Sequence, residues 1–231
     1  MIIRENTMKV EDISLDYRIE SDDVKYSADE MIFFDLEHYV YKKPKCIGVF
    51  GACVYSKEKK SLEVTQYMIE NKYEVIDILH LAHRYFIDMK NNNKKAIVTF
   101  SGNNDFTVIN YLFKKYSIEY NFDEEYDAID VQKEYERYMG SSIGLKNLEK
   151  KFEIFREGEV ISGSNLAKTF HKVLKDDTYI MRMPKEKIEK ILLYNEQDVV
   201  NLYHILNSWK KYITPEIVET SNSNDNDNKD E

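Results

Sequence analysis

MIFFDLE, residues 31–37, is a short and nearly continuous apolar run, which is typical of a strand buried on both faces. Two further strand-like runs follow without an intervening helix, CIGVFGACVYS (46–56) and SLEVTQYMIE (61–70). Only the polar KEKK separates these two runs, so we expect them to form a hairpin. Together the three runs predict a meander of antiparallel strands.

The pattern changes after residue 72. Helical spacing over 73–90 and 105–116 alternates with two short strand-like runs, AIVTF (96–100) and YDAIDV (126–131), and the segments that follow are mainly helical. Two strands separated by a crossover helix join in parallel, because the helix returns the chain to the same end of the sheet. The sequence therefore predicts an α/β fold: a mixed five-stranded sheet whose first three strands form an antiparallel meander, with helices on both faces.

The length of 231 residues indicates one domain rather than two. We assign residues 30–212 to this domain and residues 1–29 to a polar lead-in that holds at most a short strand. Residues 213–231 are expected to form a disordered acidic tail, because ETSNSNDNDNKDE (219–231) has five acids, one base and no apolar residue. Of the net charge of −9, the tail carries −4, which leaves −5 for the body. That charge argues against a broad basic surface for nucleic acid, but not against a ligand held through bound cations.

The chain shows no targeting signal and no candidate membrane span. Its N-terminus lacks a basic start followed by an apolar core, and the longest apolar stretch, 46–55, is about half the length that crosses a bilayer. Cys46 and Cys53 are seven apart in one predicted strand and face opposite sides, so we expect neither a disulfide nor a thiolate metal site. The expected location is the cytoplasm.

Two acidic residues end the first predicted strand. Asp35 and Glu37 are two residues apart, so their side chains leave the strand on the same face, after Met31 and Phe33. The alternative is that the strand ends there and DLEHY is a solvated loop, since charged side chains are mostly exposed.

A third acidic residue, Asp105, opens the helix after AIVTF. Asp is a good helix N-cap, although Ser101, Asn103 and Asn104 could each cap the helix as well. In the helical projection Asp105 falls in the apolar stripe of its helix, between Ile109 and Leu112. Both a capping role and a role in an active site therefore remain open.

The fourth acidic residue, Asp198, gives the strongest signal. It falls on the apolar stripe of the long helix MPKEKIEKILLYNEQDVVNLYHILNSW, where an ionised carboxylate must be paired, protonated or bound to a metal. Lys187 and Lys190 lie off this face, so we expect no base to neutralise Asp198; a lysine or arginine that neutralises it would overturn the assignment as a hydrolase. Tyr194 lies one turn earlier on the same side. The remaining alternative is a buried Asp that accepts hydrogen bonds.

These acidic residues are predicted to meet at one end of the sheet, because the first strand is central and the helix with Asp105 follows its neighbour. Four carboxylates without cysteine favour Mg²⁺ or Mn²⁺. Two such ions, one activating water and one stabilising the leaving oxygen, are a common arrangement for cleaving phosphodiesters.

The order of these motifs resembles the DEDD superfamily of exonucleases: D-x-E in the first strand, an Asp on the helix after the fourth strand, and Y-x-x-x-D in the last helix. Within it, YNEQDVVNL (194–202) and GLKNLEKKFEI (144–154) are similar to the YprB-type ribonuclease H-like proteins. The resemblance covers about residues 30–210 and implies a ribonuclease H-like fold.

The resemblance also implies a function. It implies a divalent-metal-dependent nuclease that hydrolyses single-stranded DNA or RNA from the 3′ end by a two-metal mechanism. Some members of the superfamily have a histidine five residues before the last Asp, where this chain has Leu193, so the chain resembles the tyrosine type. The catalytic residues that it implies are four metal ligands, Asp35, Glu37, Asp105 and Asp198, and Tyr194, which would orient the attacking water.

One departure keeps a second function open. The second motif commonly reads N-G-x-x-F-D, whereas this chain has SGNNDF (101–106), which places Asp105 one residue closer to the glycine. Together with the acidic composition, this leaves a non-catalytic nucleic-acid-binding or interaction module of the same fold as the alternative.

Several other residues have weaker signals. Asp127 and Asp130 end a strand near the predicted site, where either could assist or cap a helix. His38 could contact the substrate or lie in an exposed loop. His80 and His83 could share a metal, but no third ligand is visible in the sequence.

Overall fold

The computed structural model describes residues 1–11, 19, 26–158 and 161–213. Within these residues, six strands form one mixed sheet in the order β1-β4-β3-β2-β5-β6. The strands are β1 (Ile2–Lys9), β2 (Met31–Tyr41), β3 (Lys43–Ser56), β4 (Ser61–Met68), β5 (Ala96–Thr99) and β6 (Asp127–Asp130).

The helices begin after the hairpin of β3 and β4, as the change of periodicity predicts. In the described residues they are α1 (Asp77–Asn91), α2 (Asn103–Lys115), α3 (Phe122–Glu125), α4 (Val131–Met139), α5 (Leu145–Lys151), α6 (Gly163–Lys175), α7 (Lys185–Asn207) and α8 (Trp209–Tyr212). None of the described helices is both long enough and apolar enough to cross a membrane.

The strand pairing confirms the predicted topology. β2, β3 and β4 form the antiparallel meander, β5 joins β2 in parallel, and β6 joins β5 in parallel. The prediction of five strands is wrong by one, because β1 pairs antiparallel with β4 at the edge of the sheet. The side of β1 that is turned inward carries Arg4 and Asn6, so the strand lacks the apolar alternation that would reveal it.

Two apolar layers cover the sheet, because successive residues of a strand face opposite sides. Phe34 packs with Phe50 of β3 and Phe86 of α1 in one layer. Phe33 packs edge-on against Tyr203 of α7 in the other. Each buried aromatic side chain contributes about 1.5–3 kcal/mol, so β2 is fixed between two helical layers. This packing holds the face of β2 that carries acidic residues against α7.

The two cysteines lie on opposite faces of the sheet, and the folded core extends one residue beyond the predicted domain end. Cys46 and Cys53 are free and buried in different layers, as their spacing predicts. Most of the predicted lead-in and tail lies outside the described residues, at 12–18, 20–25 and 214–231. Ile213, which we placed in the tail, is buried against the α7 layer.

Candidate active site

β2 carries two of the predicted site residues well inside the sheet. The strand continues to Tyr41, so the alternative that DLEHY forms a solvated loop is wrong. Glu37 is buried, and Asp35 is half-buried. Both follow Phe33 on the face that packs against α7, as the alternation predicts.

α7 brings Asp198 to the same place. Its carboxylate is buried, and one oxygen each of Asp35, Glu37 and Asp198 lie within 4.8 Å of one another. In the described residues this is the one group of three or more acidic, histidine or cysteine side chains close enough to share an ion. The packing of α7 on β2 thus brings Asp198 close to Asp35 and Glu37, which lie 163 and 161 positions earlier in the chain.

Asp105 lies beside this group rather than within it. α2 begins at Asn103 with Gly102 as its N-cap, so the interpretation of Asp105 as the helix cap is wrong. Its carboxylate is buried, and Oδ1 lies 3.8 Å from Nε2 of His38. Asp105 does not come within 4.8 Å of all three other carboxylates.

Burial and mutual repulsion disfavour the charged forms of these carboxyl groups. Burial raises the pKa of Asp35 to about 6, although a hydrogen bond and a nearby guanidinium oppose that shift. The pKa values of Glu37, Asp105 and Asp198 lie well above their ordinary values, first because of burial and next because of the charge of Asp35. A cation among these oxygens would offset the cost of ionising them.

One cation of the protein already contacts the cluster. Arg156, which follows α5, forms an ion pair with Asp198, so our expectation that no base neutralises this carboxylate is wrong. The same guanidinium binds Glu149 through Nε at 2.7 Å and Nη2 at 2.5 Å. This ion pair weakens the assignment as a hydrolase. Arg156 is shared between the two carboxylates, and burial keeps the pKa of Asp198 well above its ordinary value despite the pair, so Arg156 does not balance the charge of Asp35 and Glu37 as well.

A family model described as RNase H superfamily matches residues 32–210. The chain belongs to the RNase H superfamily. No curated protein and no solved structure gives a significant match to it. The RNase H superfamily suggests a nuclease-type function, because its nucleases act on nucleic acids with the help of divalent metal ions. The mixed sheet with its helices agrees with an RNase H-like fold.

The donor set suits the metal ions that RNase H-like nucleases use. Mg²⁺ and Mn²⁺ prefer oxygen ligands, and the cluster offers carboxylate oxygens from β2 and α7 with no sulfur or imidazole among them. Burial first, and then the charge of Asp35, raise the pKa values of Glu37 and Asp198, and a divalent ion would offset both effects. The residues present therefore fit a divalent cation at Asp35, Glu37 and Asp198.

A hydrogen-bonded chain from β4 positions Asp35 in this RNase H-like site. Gln66 Nε2 donates to Asn195 Oδ1 at 2.8 Å, and Asn195 Nδ2 donates to Asp35 Oδ2 at 3.1 Å. Gln66 and Asn195 are both buried. Gly51 makes room for the amide, because a Cβ at that position would lie 2.1 Å from Asn195 Oδ1. Sequence reasoning missed Asn195, although it lies three residues before the helical aspartate, where helical spacing could have revealed it.

The weaker candidates have structural roles in the described residues. Asp130 caps α4 by accepting from two backbone N–H groups, which confirms the capping alternative. Asp127 accepts a hydrogen bond from the hydroxyl of Tyr26. His83 packs against aromatic rings of α2 and the following loop. His38 is half-buried within β2, so its placement in an exposed loop is wrong.

Proposed function

We propose that this member of the RNase H superfamily is a divalent-metal-dependent nuclease of the DEDD tyrosine type, similar to YprB-type proteins. Its proposed reaction is the removal of nucleotides from the 3′ end of single-stranded DNA or RNA. The observation that carries the proposal is the convergence of Asp35, Glu37 and Asp198 within 4.8 Å. The 3′ polarity depends on the order of the motifs alone.

The four carboxylates would hold the divalent metal. Asp35, Glu37 and Asp198 form the close group. Burial, and then the charges of Asp35, Asp198 and Asp105, raise the pKa of Glu37. Burial lowers the pKa of His38, so this neighbour of Asp105 stays neutral and leaves the charge of that carboxylate unbalanced. Bound Mg²⁺ or Mn²⁺ lowers the pKa of water and stabilises negative charge on phosphoryl oxygens.

Tyr194 is the residue that would orient a reactant in this proposal. Its ring has the guanidinium of Arg156 on it at 5.1 Å and the ammonium of Lys146 at 5.3 Å, measured to the ring centroid. Burial, and next the charge of Asp198, raise the pKa of its hydroxyl. The hydroxyl therefore remains protonated at neutral pH and can donate a hydrogen bond to the attacking water or to a phosphate oxygen.

One observation favours the alternative of a non-catalytic nucleic-acid-binding module. The ion pair of Arg156 with Asp198 occupies one oxygen of a proposed metal ligand. In that alternative the protein would bind single strands, and added metal would produce no cleavage.

Cleavage of end-labelled strands separates the two functions. Single-stranded DNA and RNA with a 5′ label are incubated with Mg²⁺ or Mn²⁺, and the products are resolved by length. We expect a ladder that shortens from the 3′ end, abolished by a chelator and by Asp198→Asn. Asp88→Asn, a matched change of an exposed residue on α1, should cleave like the parent. Binding without cleavage in either metal would support the non-catalytic module, and an active Asp198→Asn would exclude Asp198 as a ligand.

A further inference from the structure

A basic groove runs between α6 and α7, on a chain whose net charge is −9. It consists of two adjoining cavities of about 640 and 520 Å³. Six basic side chains line it: Lys168, Lys172, Lys175, Arg182, Lys187 and Lys190. The acidic residues in its lining are Asp176, which is paired with Arg182, and Glu186.

The lysines of the basic groove face each other across it. Lys168 and Lys172 come from α6, whereas Lys187 and Lys190 come from α7. Like charges on opposite walls of a concave surface repel each other and focus a positive potential. An elongated anion would contact lysines along the whole groove and relieve this repulsion. A compact anion would contact only some of these lysines.

The basic groove adjoins residues that contact the carboxylate site. Lys190 lines both the groove and a smaller cavity, which Tyr194 and Arg156 also line. A phosphate backbone that occupies the groove would therefore lie next to the cavity of Tyr194. We propose that the basic groove binds the phosphates of the single strand whose end enters the carboxylate site, an inference that rests on the proposed nuclease function.

The salt dependence of binding tests the basic groove without cleavage. Binding of a fluorescent single-stranded oligonucleotide is measured in chelator over a range of salt concentrations. In Lys168→Gln/Lys187→Gln, the slope of log affinity against log salt should fall by about 1.4, since each lost phosphate contact on a single strand removes about 0.7. Lys57→Gln/Lys59→Gln, on the turn between β3 and β4, is the matched control and should keep the parental slope.

Three outcomes would overturn the groove proposal. They are an unchanged slope in the groove variant, no binding by the parent at low salt, and competition by polyglutamate equal to that by the oligonucleotide. The last would assign the groove to an acidic protein segment. Because all three are measured without metal, they leave the nuclease function to the cleavage assay.

Arg156 supports a second inference, because it is built into the carboxylate site. Its side chain is only 8% exposed, and Glu149 holds it with two hydrogen bonds. Asn201 of α7 in turn donates to Glu149 Oε1 at 2.8 Å. The guanidinium also lies on the ring of Tyr194. A surface arginine that had merely collapsed onto Asp198 would lack these supports.

The guanidinium still has a donor to offer. Nη1 of Arg156 is buried and has no hydrogen-bond partner in the described residues, whereas Nε and Nη2 are both used. A buried donor without a partner is unfavourable unless a ligand supplies one. We propose that Arg156 is a fixed cation that takes the place of one of the two divalent ions, so that the site binds one ion. This inference rests on the proposed metal-dependent nuclease.

Counting bound Mn²⁺ by electron paramagnetic resonance or calorimetry tests this role directly. The parent should bind one ion, and Arg156→Gln should bind two, since the charge that Arg156 supplied is gone. Arg84→Gln, a change of an exposed arginine on α1 outside the groove, is the matched control and should bind one. The parent alone is decisive if the Arg156 variant does not fold, because two ions in the parent would overturn the proposal.

Two further results of the ion count would overturn the inference about Arg156. One ion in both parent and Arg156→Gln would overturn the role of Arg156 and leave the nuclease function intact. No ion in the parent would overturn the metal-dependent function itself, and with it the inference about Arg156.

Discussion

Replacing Gly51 by alanine should disturb the carboxylate site through the buried amide of Asn195. The new Cβ would meet Asn195 Oδ1 at 2.1 Å, which is far inside contact distance. Forcing a methyl group into a packed core costs about 1–3 kcal/mol. If the amide moves instead, its hydrogen bonds with Gln66 and Asp35 are lost at about 0.5–1.5 kcal/mol each. Either path lowers the free energy of unfolding by about 1–3 kcal/mol.

Thermal unfolding measures this loss. At about 2–4 °C per kcal/mol for a chain of this size, the midpoint of Gly51→Ala should fall by about 2–12 °C. Gly163→Ala is the matched control, because a Cβ there meets nothing within 4 Å, and its midpoint should stay or rise slightly. The affinity for Mn²⁺ should also fall in Gly51→Ala, since Asp35 loses its orienting donor.

A double-mutant cycle shows whether the amide is the cause. In the background of Asn195→Ala the side chain that the new methyl group meets is absent, so Gly51→Ala should cost far less there. We expect a coupling free energy of about 1–3 kcal/mol, as for residues in direct contact. Equal costs in both backgrounds, or a midpoint of Gly51→Ala within about 1 °C of the parent, would refute the reasoning.

Three further predictions concern the site and its support. In chelator, the unfolding midpoint should fall as pH rises from about 4 to about 6, because the pKa of Asp35 is raised from 3.8 to about 6 in the folded state and the stabilisation by its bound proton is lost over that range. Mg²⁺ should reduce the fall, and a midpoint that rises with pH would contradict this. Tyr194→Phe should lower the single-turnover cleavage rate by on the order of 10²-fold, as for a lost donor in an active site, while Mn²⁺ affinity stays parental; an unchanged rate would remove Tyr194 from catalysis. Lys94→Met should lower the free energy of unfolding, measured in urea, by about 1–3 kcal/mol. The reason is that the buried ammonium donates to the carbonyl oxygens of Asp29 and Tyr55. A change below about 0.5 kcal/mol would argue against these hydrogen bonds.

β2, β3, β4 and β5 could be predicted because each contains a largely apolar run bounded by polar residues. β1 could not, since the two middle residues of its inward face, Arg4 and Asn6, are polar and interrupt the apolar alternation. Arg4 forms an ion pair with Glu189 at 3.0 Å, and Asn6 donates to Glu196 at 3.3 Å. A strand can be detected in a sequence where apolar and polar residues alternate along it. The polar residues of β1 that contact α7 interrupt this alternation.

The site was predictable where local geometry fixes it. The face of α7 that carries Asp198 follows from helical phase, and the common face of Asp35 and Glu37 follows from strand alternation. Arg156 is 42 residues from its partner in sequence, in a segment without regular structure. Neither helical nor strand periodicity applies there, so only the folded chain reveals its position.

The buried network around Arg156 is more informative about function than about stability. Taking Arg156, Glu149 and Asp198 out of water costs several kcal/mol per ion, and apolar side chains of similar volume often stabilise a fold as well or better. The network also leaves Nη1 without a partner and leaves the surplus charge of Asp35 and Glu37 in place. A network selected only for stability would satisfy its donors and balance its charges. In the carboxylate site, a metal ion would balance the charges of Asp35 and Glu37, and a phosphodiester would accept the hydrogen bond that Nη1 of Arg156 can donate.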